Sequence, residues 1–593
     1  MSSTNTSNLN PIRGKTKAFW TASLSLAVFS VTSFAGLTAL DLGDVTIDVT
    51  ASSIFAYSDY HFGHSGVFRG MLSLFIGGIG GLATYTAAKS RAPLVDPFTQ
   101  ETDADPHVYY TDDARNNLRS RMIAEAGRGV PDGIYLCPHL PMPFSAETKN
   151  IMVLGSPNSG KSNIIRAIAD QMIERGDRTV ILCVKGEYTA AFDSQDSILI
   201  GAHLEGSHAL DLAADITNSA AATQFAADII PQSDPPFWSD CVRAVLTDII
   251  LHLQERRPGK WTAATLLGVI TKSSSELRRR IANMRFNVGT LLESADEEVD
   301  DKTVTGILLT LRSAAYANLR PLAWAWGHMP PEQRFSVKRW LSDGYKGTRT
   351  VIVQFSSEYE AISSLVVGYL LRTISRNLID PQLSKDSKRR VALILDEFHE
   401  INRIEGFTHT MSLGRENGLV VVLGCQTYQH IVEKYGREDA AAINDLFLIK
   451  IFGVEPPGAS SEHVQSLLGT RKIVRLVPNR TPAKDDTRSE VELRETIPAF
   501  STTRMASQLG VTKSTNQWAT FARCYNWTLR FLGFSSRFTR KWQLDENDNI
   551  VKITAVVQSY GQVYVLEWPL TTWAERRPRF IPAGWLSQIP QNP

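Results

Sequence analysis

The segment Gly155-Ser156-Pro157-Asn158-Ser159-Gly160-Lys161-Ser162 fits the spacing GxxxxGK[ST]. Its glycines allow the backbone to curl until successive N–H groups point at phosphate oxygens, at the start of a helix. In that pattern Lys161 bridges the β- and γ-phosphates of ATP, and the Ser162 hydroxyl ligates Mg2+. A second chemical pair, Asp396 and Glu397, follows the apolar run Val391 to Leu395. Asp396 would hold Mg2+ through water, and Glu397 would polarise the attacking water as general base. A switch protein needs only the first of these acids, so the second favours hydrolysis. The run Leu419 to Gly424 ends in Cys425-Gln426-Thr427, where a polar tip residue, Gln426, would sense the γ-phosphate. Arg415 stands shortly before that run and would serve a neighbour's γ-phosphate if copies assemble in a ring.

These residues need strands that end together and helices that begin there. Asn150 to Leu154 is a short apolar run leading into the loop, and Ile165, Ile168 and Met172 lie on one face of the helix expected after it. Further runs occur at Thr179–Val184, Thr350–Phe355, Val391–Leu395, Leu419–Gly424 and Phe447–Phe452. All are continuous rather than alternating, as expected of a parallel sheet covered on both faces. Helical segments between them predict a doubly wound α/β domain. From residue 217 to 343 the rhythm changes to helical periodicity without a convincing strand, which predicts an inserted all-α domain between two halves, 96–216 and 344–516. Residues 517–593 read as a C-terminal extension with strand-like runs at Ile550–Val557 and Gln562–Glu567 and a Pro/Trp-rich ending.

With 593 residues, 43% of them hydrophobic, the chain can bury large cores, and roughly three or four domains are expected. A balance of 62 basic and 61 acidic side chains excludes a histone-like, tail-driven nucleic-acid binder. The five cysteines (Cys137, Cys183, Cys241, Cys425 and Cys524) contain no CxxC pair, which argues against a disulfide framework or a zinc ribbon. At the N-terminus, Ala18 to Leu40 carries no charge and is long enough to cross a bilayer core of ~30 Å. A second apolar run, Met71 to Ala88, lies within a span of about 67–88 and holds the close-packing pair Gly77 and Gly81. Arg13, Lys15 and Lys17 precede the first span and Lys89 and Arg91 follow the second, while the loop between holds Asp41, Asp44, Asp48 and Asp59. Residues 1–95 are therefore expected to form a two-helix membrane anchor with a short exported loop and both termini cytoplasmic.

The order of these pieces resembles the type IV secretion coupling proteins, the hexameric inner-membrane ATPases of bacterial conjugation (TraD-like). The likeness rests on the two spans, the phosphate loop, Lys185-Gly186-Glu187, Pro236-Phe237-Trp238, Leu395-Asp396-Glu397-Phe398, Gly414-Arg415, Gly424-Cys425-Gln426-Thr427, Gln429 and Tyr435-Gly436. It runs to about residue 520. Two residues before the Lys-Gly-Glu the family commonly carries Asp, and here that residue is Cys183. The resemblance implies a RecA-like nucleotide-binding domain with the inserted all-α domain, and a hexameric ring whose ATP sites lie between subunits. Arg415 then matches the family's trans-acting arginine finger and Gln426 its γ-phosphate sensor. Plasmid or integrative-element DNA carrying a covalently attached relaxase is the implied substrate, passed to a secretion channel.

Between Arg256 and Asn287, eight basic residues, including Arg278, Arg279, Arg280 and Arg285, stand against one acid, Glu276. Such a face can meet DNA phosphates, without any base-reading motif, so sequence-independent contact is expected. Two other readings stay open at this point: a segregation or extrusion pump of the same fold, and a scaffold that recruits protein effectors and uses nucleotide structurally.

Overall fold

The computed structural model describes residues 99–101, 106–127, 129–273, 275–277, 279, 297–380, 390–404, 406–478, 490–514, 543–544, 550–571 and 573–587. Both N-terminal apolar runs lie outside these residues. Among the described residues no helix is long and apolar enough to cross a membrane.

Twelve strands form one sheet. In chain order they are β1 (Val108–Tyr110), β2 (Ile151–Leu154), β3 (Arg178–Cys183), β4 (Ile198–Ile200), β5 (Thr350–Gln354) and β6 (Val391–Leu395). The others are β7 (Leu419–Cys425), β8 (Ile449–Phe452), β9 (Gly510–Ser514), β10 (Gln543–Leu544), β11 (Ile550–Ser559) and β12 (Gln562–Pro569). The spatial order is β1-β12-β11-β8-β2-β7-β6-β3-β5-β4, with β9 and β10 also paired to β11. The run from β8 to β4 is parallel throughout. Their side chains divide between two cores by strict alternation. On β6, Val391, Leu393 and Leu395 enter one core, whereas Ala392 and Ile394 enter the other. Two-sided burial is why these strands read as unbroken apolar runs.

The two strand-like runs read beyond residue 517 are strands of the main sheet. Strands β11 and β12 are antiparallel neighbours inside this same sheet, with β11 paired to β8. The Pro/Trp-rich ending then lies along the segment 186–204. Arg577 Nε donates to the Thr189 carbonyl at 2.6 Å, and Trp585 Nε1 donates to that of Ala202 at 2.8 Å.

The helix that follows the phosphate loop is α1 (Lys161–Glu174), with Ile164, Ile165, Ile168 and Met172 buried at helical spacing. Between β4 and β5 come α2 (Ser219–Ile229), α3 (Phe237–Arg256), α4 (Ala263–Ile270), α5 (Glu297–Ala314) and α6 (Arg320–Trp326). One short pairing interrupts this helical region, Arg334–Phe335 beside Ala209–Leu210. A two-residue ladder leaves no alternation to read from sequence. The two ends of the helical region are tied at Asp215, whose carboxylate accepts from Ser336 Oγ at 2.6 Å and from the backbone N–H groups of Val337 and Lys338 at 3.1 and 3.0 Å. Helices α7 (Glu360–Ile379), α8 (Phe407–Gly414) and α9 (Tyr428–Tyr435) complete the elements that bear on the site.

Thr99–Glu101, Thr470–Pro478 and Glu490–Pro498 form a separate three-stranded sheet, in a compact unit of its own. The strands Thr470–Pro478 and Glu490–Pro498 thus pair outside the twelve-stranded sheet.

Candidate nucleotide site

The phosphate loop joins the end of β2 to the start of α1, and it is stitched to the ends of both neighbouring strands. Gly155 N–H donates to the Cys425 carbonyl of β7 at 3.3 Å, and Ser156 N–H donates to the Val454 carbonyl beyond β8 at 3.0 Å. Gly160 adopts φ +90°, and a Cβ there would fall 2.7 Å from Ile553 of β11. A Cβ on Gly155 would fall 2.5 Å from Ser159 Oγ. Only glycine suits both places, one for its left-handed backbone and one for close approach. The buried Ser159 hydroxyl has no hydrogen-bond partner among the described residues. An orphaned donor inside a cradle at a helix N-terminus fits a phosphate oxygen.

Strand β6 delivers the acids from the same edge. Only β7 separates β6 from β2. Lys161 Nζ donates to Glu397 Oε2 at 3.0 Å and lies 3.8 Å from Asp396 Oδ1, with both partners nearly buried. Gly424 on β7 makes this approach possible, since a Cβ there would lie 2.6 Å from Ile165 of α1 and 2.7 Å from Asp396 Oδ1. Glu397 itself takes a left-handed backbone, φ 57°, which is costly for a residue with a Cβ and which turns its carboxylate back toward Lys161. Ser162 lines a small cleft together with Lys185, Glu187, Asp396 and Glu397. Hydroxyl and carboxylate there form the oxygen donor set that Mg2+ takes.

Two residues of this site carry no site role in the sequence reading. Lys185 Nζ donates to Glu397 Oε1 at 2.7 Å, and Tyr188 Oη donates to Asp396 Oδ2 at 3.1 Å. Their signal was the Lys-Gly-Glu triplet after β3, whose proximity to β6 depends on sheet order. Burial raises the pKa of Glu397, but the charges and hydrogen bonds of Lys161 and Lys185 outweigh it and bring the carboxyl down to about 2. Gln426, at the tip of β7, points Nε2 at Glu397 Oε2 from 3.5 Å.

Arg415 lies elsewhere. It opens the turn before β7, so the seven residues of that strand, at ~3.3 Å each, put about 20 Å between it and the tip carrying Gln426. There it lines a surface groove with Glu125, Lys149 and Tyr560. Arg415 cannot serve the phosphate site of its own chain. Of the arginines expected to meet DNA, Arg279 is exposed, and Arg278, Arg280 and Arg285 lie outside the described residues.

A family model described as the type IV secretion-system coupling protein DNA-binding domain matches residues 134–515. The coupling protein TraD of Escherichia coli (strain K12) is 21% identical over 393 residues, covering 64% of this chain and 52% of that protein. The chain therefore spans about half the length of this curated relative. A solved structure of the bacterial conjugative coupling protein TrwB, in an unbound form, has a TM-score of 0.57 at 16% identity, over 82% of this chain and 98% of its own. TrwB in complex with ADP and Mg2+ gives a TM-score of 0.56 at 16% identity, over 82% and 99%. At these identities the likeness shows the fold, a TrwB-like α/β architecture. The family match extends over more than half of the residues, and the chain belongs to the type IV secretion-system coupling proteins.

Proposed function

We propose that this protein is an inner-membrane ATPase that couples hydrolysis to delivery of DNA, or of a relaxase–DNA substrate, into a type IV secretion channel. One observation carries the enzymatic half: Lys161 of the phosphate loop, Glu397 of β6 and Gln426 of β7 meet at one sheet edge. The family match, and the ADP and Mg2+ bound by TrwB, support nucleotide as the ligand.

In this reading the phosphate-loop backbone and Lys161 bind the triphosphate, and Gln426 senses its terminal group. Ser162 and Asp396 would hold Mg2+, which supplies charge neutralisation between the phosphates. Glu397 is the base for the attacking water. A carboxylate at about 2 is a weak base at neutral pH. Its two lysine partners suit the phosphates equally well, so substrate that draws Lys161 and Lys185 away raises the proton affinity of Glu397 where water must be activated. Base strength then depends on substrate.

Arg415, remote from its own site, supports a ring in which each arginine completes a neighbour's site, with a homo-hexamer as the family's assembly. The uncharged run 18–40 and its partner near 67–88 support a two-span anchor with cytoplasmic termini. The basic composition of the stretch 256–287, in which Arg279 is exposed, supports sequence-independent DNA contact.

The test is ATP turnover by the full chain with and without DNA. Turnover stimulated by DNA and abolished by Lys161→Ala is expected. Turnover that survives Lys161→Ala overturns the site assignment, and nucleotide binding without any turnover favours the scaffold reading.

A further inference from the structure

Beside Glu397, three side chains with soft or borderline donor atoms come together. His399 lies in the turn Phe398–Glu400 after β6, Cys425 ends β7, and His430 lies near the start of α9. One donor atom from each lies within 4.8 Å of the others. The imidazoles stack with centroids 4.9 Å apart. Cys425 is fully buried, and the His399 side chain is only 10% exposed. The Nδ1 atoms of both histidines are buried without a hydrogen-bond partner among the described residues. A pair of histidines used merely to fill a core would leave the two Nδ1 atoms desolvated and unpaired, which proteins avoid. A shared ion removes that penalty.

We propose that His399, Cys425 and His430 form a three-ligand site for a borderline-soft divalent cation of the zinc class, beside the hydrolytic carboxylate. Two imidazoles and a thiolate are the donors that such a cation prefers, with a fourth position left for water. Ligand bonds of ~2.0–2.3 Å require the donor atoms to close by about an ångström. The outer carboxylate is already in place on the other ring nitrogen: His399 Nε2 is 3.3 Å from Glu400 Oε1, which leaves Nδ1, 3.5 Å from Glu397 Oε2, to bind the ion. Carboxylates beside a ligating histidine orient it and strengthen its donor atom. Binding releases the Cys425 proton to solvent. Because Glu397 touches both His399 and Lys161, an occupied site puts a cation beside the base and slows turnover. This last consequence rests on the hydrolytic reading above, whereas metal binding itself does not.

The experiment uses the full chain stripped with chelator and titrated with Co2+ as the spectroscopic probe. One equivalent per chain with a thiolate-to-cobalt charge-transfer band is expected. Co2+ held by Ser162 and Asp396 has only oxygen donors and gives no such band. Cys425→Ser should lose the band, and His430→Ala should weaken its titration by at least ~10-fold. Zn2+ should displace the cobalt, slow ATP turnover of the wild type, and spare His430→Ala, whose turnover without Zn2+ should match wild type. A missing band, or one unchanged in His430→Ala, overturns the site even if Cys425→Ser fails to fold. A chain that hydrolyses no ATP but shows the band refutes the hydrolytic reading and keeps the metal site.

Discussion

Glu397→Gln isolates the charge of one carboxylate while keeping its shape. In the wild type, Lys161 and Lys185 both donate to Glu397, at 3.0 and 2.7 Å. A triphosphate must draw these ammonium groups toward itself, so their attraction to Glu397 opposes nucleotide binding. The Lys161 contact is nearly buried on both sides, and a charge-assisted hydrogen bond of that kind is worth ~1.5–3 kcal/mol. Lys185 is 59% exposed, and solvent screening holds its contribution to ~1 kcal/mol or less. Glutamine keeps an acceptor for one lysine and removes the charge, which releases about half of the total, ~1–2 kcal/mol. Nucleotide affinity should then rise roughly 5- to 30-fold. Turnover should fall by ~10²–10⁴, the usual loss when a general base is removed. The assay is titration of a fluorescent ATP analogue with Mg2+ at fixed ionic strength, beside steady-state hydrolysis. Since the carboxyl titrates at about 2, the tightening should not vary across neutral pH. An affinity that is unchanged or weaker refutes the opposition of Glu397 and phosphate for the two lysines.

Arg415→Ala should leave ATP binding intact and abolish turnover; mixing it with Lys161→Ala chains should restore a fraction of activity, because each supplies what the other lacks, and no recovery on mixing refutes a trans role. Gly160→Ala forces a Cβ into a left-handed backbone at φ +90° and against Ile553, at a cost of at least ~1–2 kcal/mol, so both melting temperature and nucleotide affinity should drop. Burial raises the Asp215 carboxyl to about 6, although Ser336 and two backbone N–H groups oppose it. The folded state therefore binds this proton more tightly than the unfolded chain, whose carboxyl titrates near ~3.9. The associated stability is complete below about that value and is lost as pH rises through about 6. Asp215→Asn should flatten the slope of melting temperature between those pH values, and an unaltered slope refutes the assignment.

Local chemistry was legible from sequence wherever one segment carries its own geometry. The phosphate loop needs glycines and a helix start within eight consecutive residues, so Gly155 to Ser162 declares itself. A strand covered on both faces becomes a continuous apolar run, which is why Val391–Leu395 was bounded to the residue. The helical period of the insertion likewise comes from one-sided burial along each helix.

Sheet order belongs to contacts distant in the chain, and no periodicity encodes it. Lys185 reaches Glu397 because β3 pairs with β6, 212 positions apart at the side chains. Ile553 restricts Gly160 because β11 pairs with β8, which made a segment resembling a tail into a wall of the phosphate cradle. His399, Cys425 and His430 are a dispersed, unremarkable set in the sequence, and they converge through the adjacency of β6 and β7. Side-chain type and short-range spacing set what each residue can do; packing over long loops chose which of them meet, since that choice depends on the burial of whole elements and on no single neighbourhood of the chain.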